Sequence, residues 1–425
     1  MTLTNWAGNH TYVAARVHRP TSLEELRTLV AGARLIRPLG SRHSFTDVAD
    51  TTGDLVSTSE LPADLEVDTA ARQVRVAGGV TYGALAAELH RQGLALPTMA
   101  SLPHISVAGA VATGTHGSGL GIGSLATTVV SLELLGPDGS SRTVARGDDD
   151  FAGHVVGLGA LGVVTHLTLE VEPTFEVSQT VFLDLPWEAL ESRFEEIVGS
   201  AYSVSVFTRW VEDVVGQVWL KARVDAEVPG GVVGGVPASL QGARPATAAV
   251  HMLAGADTVA VTPQLGEPGP WSERLPHFRR EFTPSRGEEL QSEYLLPRTH
   301  AVEAVRRMRR LGPKIAHLLQ TCELRTISAD DLWLSPTYDV DAIAVHWTWL
   351  RDVPGVTAVL PLIEEALLPL GARPHWGKVF TVGAEDLEKA YPRMDDFRRL
   401  RATHDPQGKF DNDFLRRTIG GLERA

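Results

Sequence analysis

Residues 101–123 constrain the fold of this chain more than any other stretch. They read SLPHISVAGAVATGTHGSGLGIG and contain six glycines, five serines or threonines and no charged side chain. Glycine lets a backbone approach a ligand closely, and successive N–H groups with nearby hydroxyls hold an anion without a lysine. A flexible linker is the alternative, but linkers rarely interleave residues such as Leu102, Ile105 and Val111 with their glycines. The stretch predicts a loop that contacts a phosphate or a ring.

The charge of the chain argues against one class of partner. Its 425 residues include 39 Lys and Arg against 52 Asp and Glu, which gives a net charge of −13. This balance disfavours a nucleic-acid backbone or an anionic membrane as the main partner. The basic run 306–310 is predicted to be the solvated end of a helix stopped by Gly312 and Pro313. We therefore expect no nucleic-acid or membrane partner.

The single cysteine, Cys322, excludes an intrachain disulfide and a thiolate metal cluster. No HxxxH, HExxH or CxxC spacing occurs, so no metal site is expected. The N-terminus shows no basic region followed by an apolar core, and no apolar run approaches the ~18 residues that a membrane helix needs. We expect a cytoplasmic protein. The length allows two domains, and no interface signal is present, so we expect a monomer.

The first 170 residues alternate between helical and strand patterns. A capping box at 21–25 precedes leucines at helical spacing, and a second helix is predicted over 82–91, ending before Gly93. Alternating apolar residues predict strands around 130–134 and 163–171. This part of the chain is therefore expected to be mixed α+β.

Beyond residue 172 the pattern changes to alternating segments separated by long connections, which predicts a mostly antiparallel sheet. The predicted strands lie around 204–208, 217–221, 291–295, 319–327 and 343–349. The Gly-, Pro- and Ala-rich span 227–266 is expected to be an irregular excursion, and Phe410 and Phe414 are expected to dock on an earlier domain.

The run Gly157–Gly162 matches the GxGxxG pattern of dinucleotide-binding proteins. That mechanism needs a strand before the glycines and a helix after them, whose N-terminus receives the pyrophosphate. Here residues 163–171 alternate with period two, which predicts a strand. We therefore interpret these glycines as a close approach to a strand and not as a nicotinamide site.

His43 lies in GSRHSF, residues 40–45, directly after a predicted turn where a rigid backbone holds a side chain near a ligand. Alone, this signal favours an exposed or hydrogen-bonded structural histidine. Followed by the glycine-rich stretch, GLGALGVVT at 157–165 and DPQGKF at 405–410, it resembles the vanillyl-alcohol-oxidase type of FAD flavoproteins. Within that type the chain is similar to the bacterial alditol oxidases, the xylitol and sorbitol oxidases. The shared motifs are TNWAGN at 4–9, LPTMASLPHISVAG at 96–109, LQSEYL at 290–295, TCELRT at 321–326 and RPHWGKVFT at 373–381.

The resemblance implies an α+β, two-domain fold with FAD attached covalently through His43. The FAD-binding domain would be residues 1–173 with a C-terminal return, 376–425, and a cap domain on a large antiparallel sheet would be residues 174–375. Many relatives carry glycine in place of Arg42, whose guanidinium either pairs with a phosphate or points to solvent. Cofactor contacts are implied for Gly40, Ser41, Arg42, His43, Ser44, Ser101, Ser106, Gly109, Thr113, Gly114, Thr115, His116 and Val155. His116 is alternatively a structural histidine, and Ala100 is implied to admit oxygen.

Two predicted strands carry paired polar residues. Glu323 and Arg325 project from one face of their strand, as do His346 and Thr348 from theirs, opposite Trp347. A solvent-facing sheet is the alternative interpretation. An array of hydroxyl-binding side chains suits a polyol, whose many hydroxyls each need a partner once removed from water. The expected substrate-binding residues are Ser101, Gln291, Glu323, Arg325, Thr348 and Lys378.

The resemblance implies hydride transfer from the terminal CH₂OH of an alditol to the flavin, with O₂ reduced to H₂O₂. Arg325 and Lys378 would stabilise negative charge, Glu323 would fix a neighbouring hydroxyl, and His346 or Lys378 would take the hydroxyl proton. An aldonolactone oxidase or dehydrogenase of the same superfamily is the nearest alternative. A non-catalytic sugar- or nucleotide-binding protein is the alternative from another class.

Overall fold

The computed structural model describes residues 3–224, 227–228, 232–233, 237, 239–282 and 287–421. Its helices are α1 (Leu23–Gly32), α2 (Tyr82–Arg91), α3 (Val107–Ala112), α4 (Phe151–Val155), α5 (Trp187–Ser192), α6 (Phe194–Val198), α7 (Trp271–Arg274), α8 (Ala301–Ile315), α9 (Val353–Leu367), α10 (Ala384–Ala390), α11 (Met394–His404) and α12 (Asp413–Thr418). Its strands are β1 (Arg16–His18), β2 (Ile36–Leu39), β3 (Asp54–Ser57), β4 (Leu65–Asp68), β5 (Gln73–Ala77), β6 (Leu94–Ala95), β7 (Val129–Leu135), β8 (Ser141–Ala145), β9 (Val163–Glu170), β10 (Glu172–Pro173), β11 (Glu176–Pro186), β12 (Ser203–Thr208), β13 (Val214–Arg223), β14 (Glu227–Val228), β15 (Val232–Val233), β16 (Arg244–Pro245), β17 (Gly269–Pro270), β18 (Glu289–Pro297), β19 (Leu319–Ile327), β20 (Ala342–Leu350) and β21 (Arg373–Pro374).

The first part of the chain forms two sheets of three or more strands and a two-stranded pairing of β6 with β10. Strands β1, β3 and β2 make a parallel three-stranded sheet, and β4, β5, β9, β7 and β8 make an antiparallel five-stranded one. The predicted capping box starts α1: the Ser22 hydroxyl accepts from the Glu25 N–H, and the Glu25 carboxylate accepts from the Thr21 N–H. The expected mixed α+β architecture is confirmed.

The glycine-rich stretch is not a linker. It contains α3, whose Val107, Ala110 and Val111 are buried in the core. The apolar residues between its glycines therefore anchor the segment against the rest of the protein. Its glycines have no side chains, so the backbone of the segment can approach a ligand closely.

A nine-stranded sheet, called here the large sheet, dominates the second part of the chain in the order β16-β11-β13-β12-β19-β20-β18-β21, with β17 also paired to β11. Its strands pair antiparallel, as predicted. One face buries Leu324, Val345 and Trp347 in the core, on the side where α9 packs against β18 and α8. The other face carries Glu323, Arg325 and their polar neighbours.

The C-terminal segment returns to the first part of the chain, as expected. Phe410 is fully buried with Val30, Ile36 and Val163, and Phe414 joins the main core. The large sheet occupies Glu176 to Pro374. The division into residues 1–173 with 376–425, and 174–375, stays a prediction. The predicted excursion 227–266 lies partly outside the described residues; within its described part, Arg244–Pro245 pairs with β11.

The expectation that Gly312 and Pro313 end a helix is wrong, because α8 continues to Ile315. A Cβ at Gly312 would lie 2.7 Å from the Trp210 carbonyl oxygen, so this glycine permits close packing and does not stop the helix. The arginines before it are paired with carboxylates: Arg306 and Arg309 both donate to Glu191. This pairing agrees with the expectation of a solvated basic face.

One apolar stretch is longer than expected. The window Val353–Leu370, α9 and the turn after it, has the length and composition of a helix that crosses a membrane, so the prediction that no apolar run approaches that length is wrong. Its residues Val356, Leu360 and Ile363 are buried in the core. The buried Glu364 in the same helix accepts from the Tyr294 hydroxyl at 2.6 Å. We therefore interpret α9 as a core helix.

The run Gly157–Gly162 is followed by β9, as predicted. Leu158 and Gly159 have left-handed φ values of +51° and +67°, and Gly162 has a φ of +140°. A Cβ at Gly162 would lie 2.5 Å from the Leu135 carbonyl oxygen. The glycines therefore serve a tight loop against β7 and not the N-terminus of a helix.

Candidate active site

A cavity of about 260 Å³ lies between the glycine-rich segment and the polar face of the large sheet. The turn after β2, the loop before α3, four strands of the large sheet and the C-terminal return all contribute to its walls. Of the residues expected at the site, those that line it are Gly40, Ser41, Arg42, His43, Ser44, Ala100, Ser101, Ser106, Gly109, Thr113, Thr115, His116, Val155, Gln291, Glu323, Arg325, His346, Thr348 and Lys378. Gly114 does not line the cavity and has a left-handed φ of +70° in the turn that ends α3.

Ser106, the N-cap of α3, fits between two glycines. A Cβ added at Gly40 or at Gly109 would lie 2.8 Å from the Ser106 hydroxyl oxygen. The Ser106 N–H donates to the Ser41 hydroxyl at 3.2 Å, whereas its own hydroxyl is buried without a hydrogen-bond partner. Glycine is therefore required at both positions for the turn after β2 to touch α3.

His43 projects into the cavity from that turn. Its ring centroid lies 5.2 Å from that of Trp6, and its Nδ1 atom is buried without a hydrogen-bond partner. Burial, and then the charges of His104 and Lys378, lowers the pKa of His43 to about 4. The imidazole is therefore neutral at physiological pH.

Arg42 occupies a backbone position that favours glycine, with a φ of +64°. Its guanidinium is exposed and donates to the Thr4 carbonyl at 2.8 Å. Of the two alternatives drawn from the sequence, this geometry agrees with a side chain that points to solvent. The positive φ also explains why glycine suits this position.

Four polar residues form one cluster on the large sheet. Glu323 pairs in register with His346 on β20, and His346 pairs with Glu293 on β18. Arg325 donates to Glu293 at 2.8 Å and its Nε atom lies 3.6 Å from a Glu323 oxygen. The Ser101 hydroxyl accepts from Arg325 at 3.4 Å, which connects the glycine-rich segment to the sheet.

Glu293 is the centre of this cluster, and its role was missed by the sequence analysis. It is 2% exposed, and its carboxylate oxygens lie 3.2 Å from His116 Nε2 and 3.3 Å from His346 Nδ1. Burial opposes ionisation, but the charges of His116 and Arg325 outweigh it and hold the pKa of Glu293 well below its ordinary value. The signal was present in LQSEYL, because Glu293 lies two residues from Gln291 on the same strand face.

Lys378 reaches the cavity from the C-terminal return. Its ammonium donates to the side-chain oxygen of Gln291, whose amide donates to Glu289 at 2.5 Å. Burial lowers the pKa of Lys378 to about 8, against the opposing charge of Glu293. Thr348 lies beside His346, with 3.5 Å between its hydroxyl and the Nε2 atom.

His277 is a second residue that was not predicted at the site. It lies in the irregular segment after α7, lines the cavity and forms a 2.8 Å contact through Nε2 to Glu323. No periodicity marks this segment, so the sequence alone offered no signal for it.

Family comparisons were made with this geometry in hand. Residues 14–145 match the family profile described as an FAD binding domain, and residues 284–418 match that of D-arabinono-1,4-lactone oxidase. An alditol oxidase from a Streptomyces species is 51% identical over 422 residues, covering 99% of each chain. The chain belongs to the alditol oxidase family. The prediction of that family, and of FAD as the cofactor, is confirmed.

Other relatives of the chain have lower sequence identity to it. The L-gulono-1,4-lactone dehydrogenase of Mycobacterium tuberculosis is 28% identical over 98% of both chains. The crystal structure of cholesterol oxidase from B. sterolicum superposes with a TM-score of 0.77 at 16% identity, covering 97% of this chain and 96% of that one. The predicted α+β FAD-binding fold of the vanillyl-alcohol-oxidase type, with a large antiparallel sheet, is therefore confirmed.

The cavity residues fit FAD. The turn 40–44 and α3 meet with glycine at the contact, and the buried His43 Nδ1 and Ser106 hydroxyl face the cavity with no protein partner. Polar backbone on one side and apolar Leu132, Leu134 and Val155 on the other suit a dinucleotide with a ring at one end. These residues would hold the cofactor of this alditol oxidase family member.

One set of potential metal ligands occurs in the described residues, although the sequence shows no metal-binding spacing. Asp150, His154 and His404 come together beside the cavity. The His154 Nδ1 atom donates to the Asp150 carbonyl at 2.9 Å, and the Arg142 guanidinium lies against His404. Because Arg142 would repel a cation, this cluster does not suit a metal.

Proposed function

We propose that the protein oxidises the terminal CH₂OH of alditols such as xylitol and sorbitol to the aldose, with O₂ reduced to H₂O₂. The observation that carries this proposal is the cluster of Glu293, Glu323, Arg325 and His346 on one face of the large sheet, opposite the glycine-rich segment. A polyol presents adjacent hydroxyls that each need a donor or an acceptor once they leave water. Carboxylate acceptors, a guanidinium donor and a neutral imidazole share this face, which meets that requirement.

Different side chains bind different hydroxyls of the polyol. Glu323 accepts from hydroxyls near the reacting carbon, and Ser101 contacts them from the glycine-rich segment. Gln291 and Thr348 contact the hydroxyls farther along the chain. Arg325 and Lys378 stabilise the negative charge that develops on the reacting oxygen. When bound, FAD would supply the hydride acceptor, with O₂ as the final oxidant.

We assign His346 as the acceptor of the proton of the reacting hydroxyl. The ionised Glu293 lies 3.3 Å from His346 Nδ1, so the ring hydrogen belongs on Nδ1 and the lone pair on Nε2. Burial lowers the pKa of His346, which keeps the ring neutral and able to accept. Lys378, the other candidate, is a cation below a pKa of about 8 and serves charge stabilisation instead.

Covalent attachment of FAD through His43 is part of the proposal. Its support is the neutral imidazole with a buried, unpartnered Nδ1 atom that projects into the cavity. A covalent flavoprotein stays yellow after acid precipitation, whereas H43A would release its flavin into the supernatant. Colourless purified protein would contradict the flavoenzyme proposal.

The substrate proposal is tested by a peroxide assay over xylitol, sorbitol, glycerol and galactonolactone. We expect the alditols to be oxidised and the lactone to be turned over at least about tenfold more slowly in kcat/KM. R325A and K378A are expected to slow flavin reduction by at least about tenfold each, because each removes a charge that stabilises the reacting oxygen. If flavin reduction slows by less than about tenfold in either variant, the role assigned to that residue is contradicted.

A lactone-oxidising activity is the second candidate. The match of residues 284–418 to the family described as D-arabinono-1,4-lactone oxidase favours it. Preference for galactonolactone over every alditol in the same assay would establish it instead.

We also propose the two-domain division stated above, a monomer and a cytoplasmic location. The division is supported by the confinement of the large sheet to Glu176–Pro374. The buried free thiol of Cys322 is compatible with a reducing compartment. Size-exclusion chromatography with light scattering, giving a mass near 45.8 kDa, would support the monomer.

A further inference from the structure

A buried chain of groups leads from β13 to Glu323, and the proposed reaction makes no use of it. Lys221 Nζ lies 2.5 Å from the Leu275 carbonyl oxygen, 3.0 Å from that of Pro276 and 3.1 Å from His277 Nδ1. His277 Nε2 lies 2.8 Å from Glu323 Oε1. Lys221 is 1% exposed and His277 is 5% exposed, so both side chains rely mainly on protein partners.

The partners of Lys221 determine where the hydrogen of His277 sits. Two of them are carbonyl oxygens, which only accept, and an ammonium has three N–H groups to donate. With Lys221 as an ammonium, His277 Nδ1 is the third acceptor and the ring hydrogen lies on Nε2. Nε2 then donates to the Glu323 carboxylate. With a neutral Lys221, hydrogen on Nδ1 would leave the Nε2 lone pair against that carboxylate.

The ring of His277 is held in this orientation. Its centroid lies 5.7 Å from that of Phe207 and 5.3 Å from that of Trp219, both in edge-on contacts. The backbone is fixed as well, because the His277 N–H donates to the Ser101 carbonyl at 3.2 Å. The imidazole therefore cannot turn away from Glu323 without disturbing the sheet face or the glycine-rich segment.

We propose that Lys221 and His277 are positioning residues for the substrate: Lys221 fixes the tautomer of His277, and His277 holds Glu323 as a hydroxyl acceptor. This inference rests on the proposed polyol function. With one Glu323 oxygen engaged by His277, the other is available to accept from a hydroxyl in the cavity that Glu323 lines. The role concerns affinity for the polyol more than the rate of its oxidation.

The electrostatics add a pH dependence. Lys221 is faced by His277 from the segment after α7 and by Glu323 and Arg325 from β19. Burial lowers the pKa of Lys221 to about 7, with Glu323 opposing and Arg325 assisting. Burial, and then the charge of Lys221, lowers the pKa of His277 to about 4, so this ring stays neutral. Above pH 7 Lys221 would lose its proton, and the His277 ring hydrogen would no longer be restricted to Nε2. Polyol binding would then weaken.

The test compares variants of the intact flavoenzyme by KM, kcat and the Kd from anaerobic flavin reduction with xylitol. H277L removes the donor to Glu323 and should raise KM about tenfold with kcat changed less than about threefold. H277Q keeps an N–H at that position and should stay within about threefold of wild type. K221M should raise KM about tenfold in the wild-type background and have little effect in the H277Q background. T262V is the matched control, because Thr262 donates to the same Pro276 carbonyl without touching the His277 ring.

The pH profile separates positioning from a structural role. Between pH 6 and 9 the wild-type KM should rise about tenfold, whereas the H277Q KM should rise less. Lys378 titrates in both proteins, so the difference between them reports Lys221.

An unchanged KM in H277L would overturn the inference. An equal rise in KM from K221M in both backgrounds would also overturn it. If K221M folds poorly, the H277L result decides. Inactivity of the wild-type protein on every polyol would contradict the proposed function and, with it, this role. If the wild-type protein oxidises polyols but the variants do not show the expected changes in KM, the inference is contradicted and the proposed function is not.

Discussion

At the scale of single residues, Lys378 connects protonation to activity. Its ammonium donates to Gln291, and burial lowers the pKa of Lys378 to about 8. The cation exists below that pKa, so the charge stabilisation it provides is lost as the pH rises above about 8. We expect kcat/KM of the wild-type enzyme to fall there. K378R should remove the part of this fall that lies near pH 8, at a reduced plateau, because a guanidinium stays charged throughout the range. The rise in KM that Lys221 causes near pH 7 should remain in K378R.

The control for this measurement is K389R, since Lys389 is exposed on α10 far from the cavity. Its pH profile should match that of wild type. If the rate instead rises through pH 8, Lys378 acts as the proton acceptor and the assignment to His346 is wrong.

Ala100 tests oxygen access at the same scale. It is 4% exposed and lines the cavity next to Ser101. A100L adds three carbons at this wall, so it should slow flavin reoxidation by about tenfold, equivalent to about 1.4 kcal/mol in the barrier. Reduction by xylitol should change by less than about twofold. Stopped-flow absorbance measures the two half-reactions separately, with M99L as a volume-conserving control; equal slowing of both would contradict the gate.

At the scale of elements, the contact between the turn 40–44 and α3 depends on the space around one hydroxyl. G109A would place a Cβ 2.8 Å from the Ser106 oxygen, which Gly40 confines from the other side. We expect G109A to lower flavin incorporation at least about tenfold, because the two walls of the cofactor site are forced apart. The ratio of flavin to protein absorbance in purified enzyme measures this loss.

Removing the hydroxyl should relieve the clash. The double variant S106A/G109A is expected to recover most of the flavin content that G109A loses. G121A is the matched control in the same segment, because a Cβ there meets nothing within 4 Å. Loss of flavin in G121A, or no recovery in the double variant, would contradict this steric explanation.

Element boundaries show what local sequence determines. The ends of α2 and β19 agree with the prediction, since Gly93 ends the helix with a φ of +74° and the alternation in TCELRT is regular. The end of α8 does not agree, because Gly312 is required by the approach of Trp210 from another part of the chain. A glycine that serves a distant contact has the same letter as one that stops a helix. Only the tertiary structure distinguishes them.

At the scale of the whole molecule, the C-terminal return is expected to carry much of the stability. Phe410 is fully buried among residues of α1, β2 and β9. F410A should lower the free energy of unfolding by about 3–5 kcal/mol, since the site cannot collapse fully around the missing ring. Urea denaturation followed by tryptophan fluorescence measures the change. V13A, at a residue 63% exposed, should stay within about 0.5 kcal/mol; a similarly small effect of F410A would show that the return is only loosely attached.

The candidate site was predictable where strand alternation applies. Glu323, Arg325, His346 and Thr348 share a face because successive side chains point to opposite sides, and the same rule applied to Gln291 would have found Glu293. His277 and Lys221 were not predictable as a pair, because a strand lies between β13 and β19 and an irregular segment bridges them. Long-range contacts of this kind leave no periodicity in the sequence.

The C-terminal return also links the cofactor site to the core of the protein. Gly377 and Lys378 complete the cavity wall, and Phe410 and Phe414 attach the same segment to the hydrophobic core. Flavin content and folding stability are therefore coupled through one stretch of the chain. F410A, which weakens the packing at one end, should also lower the ratio of flavin to protein at the other.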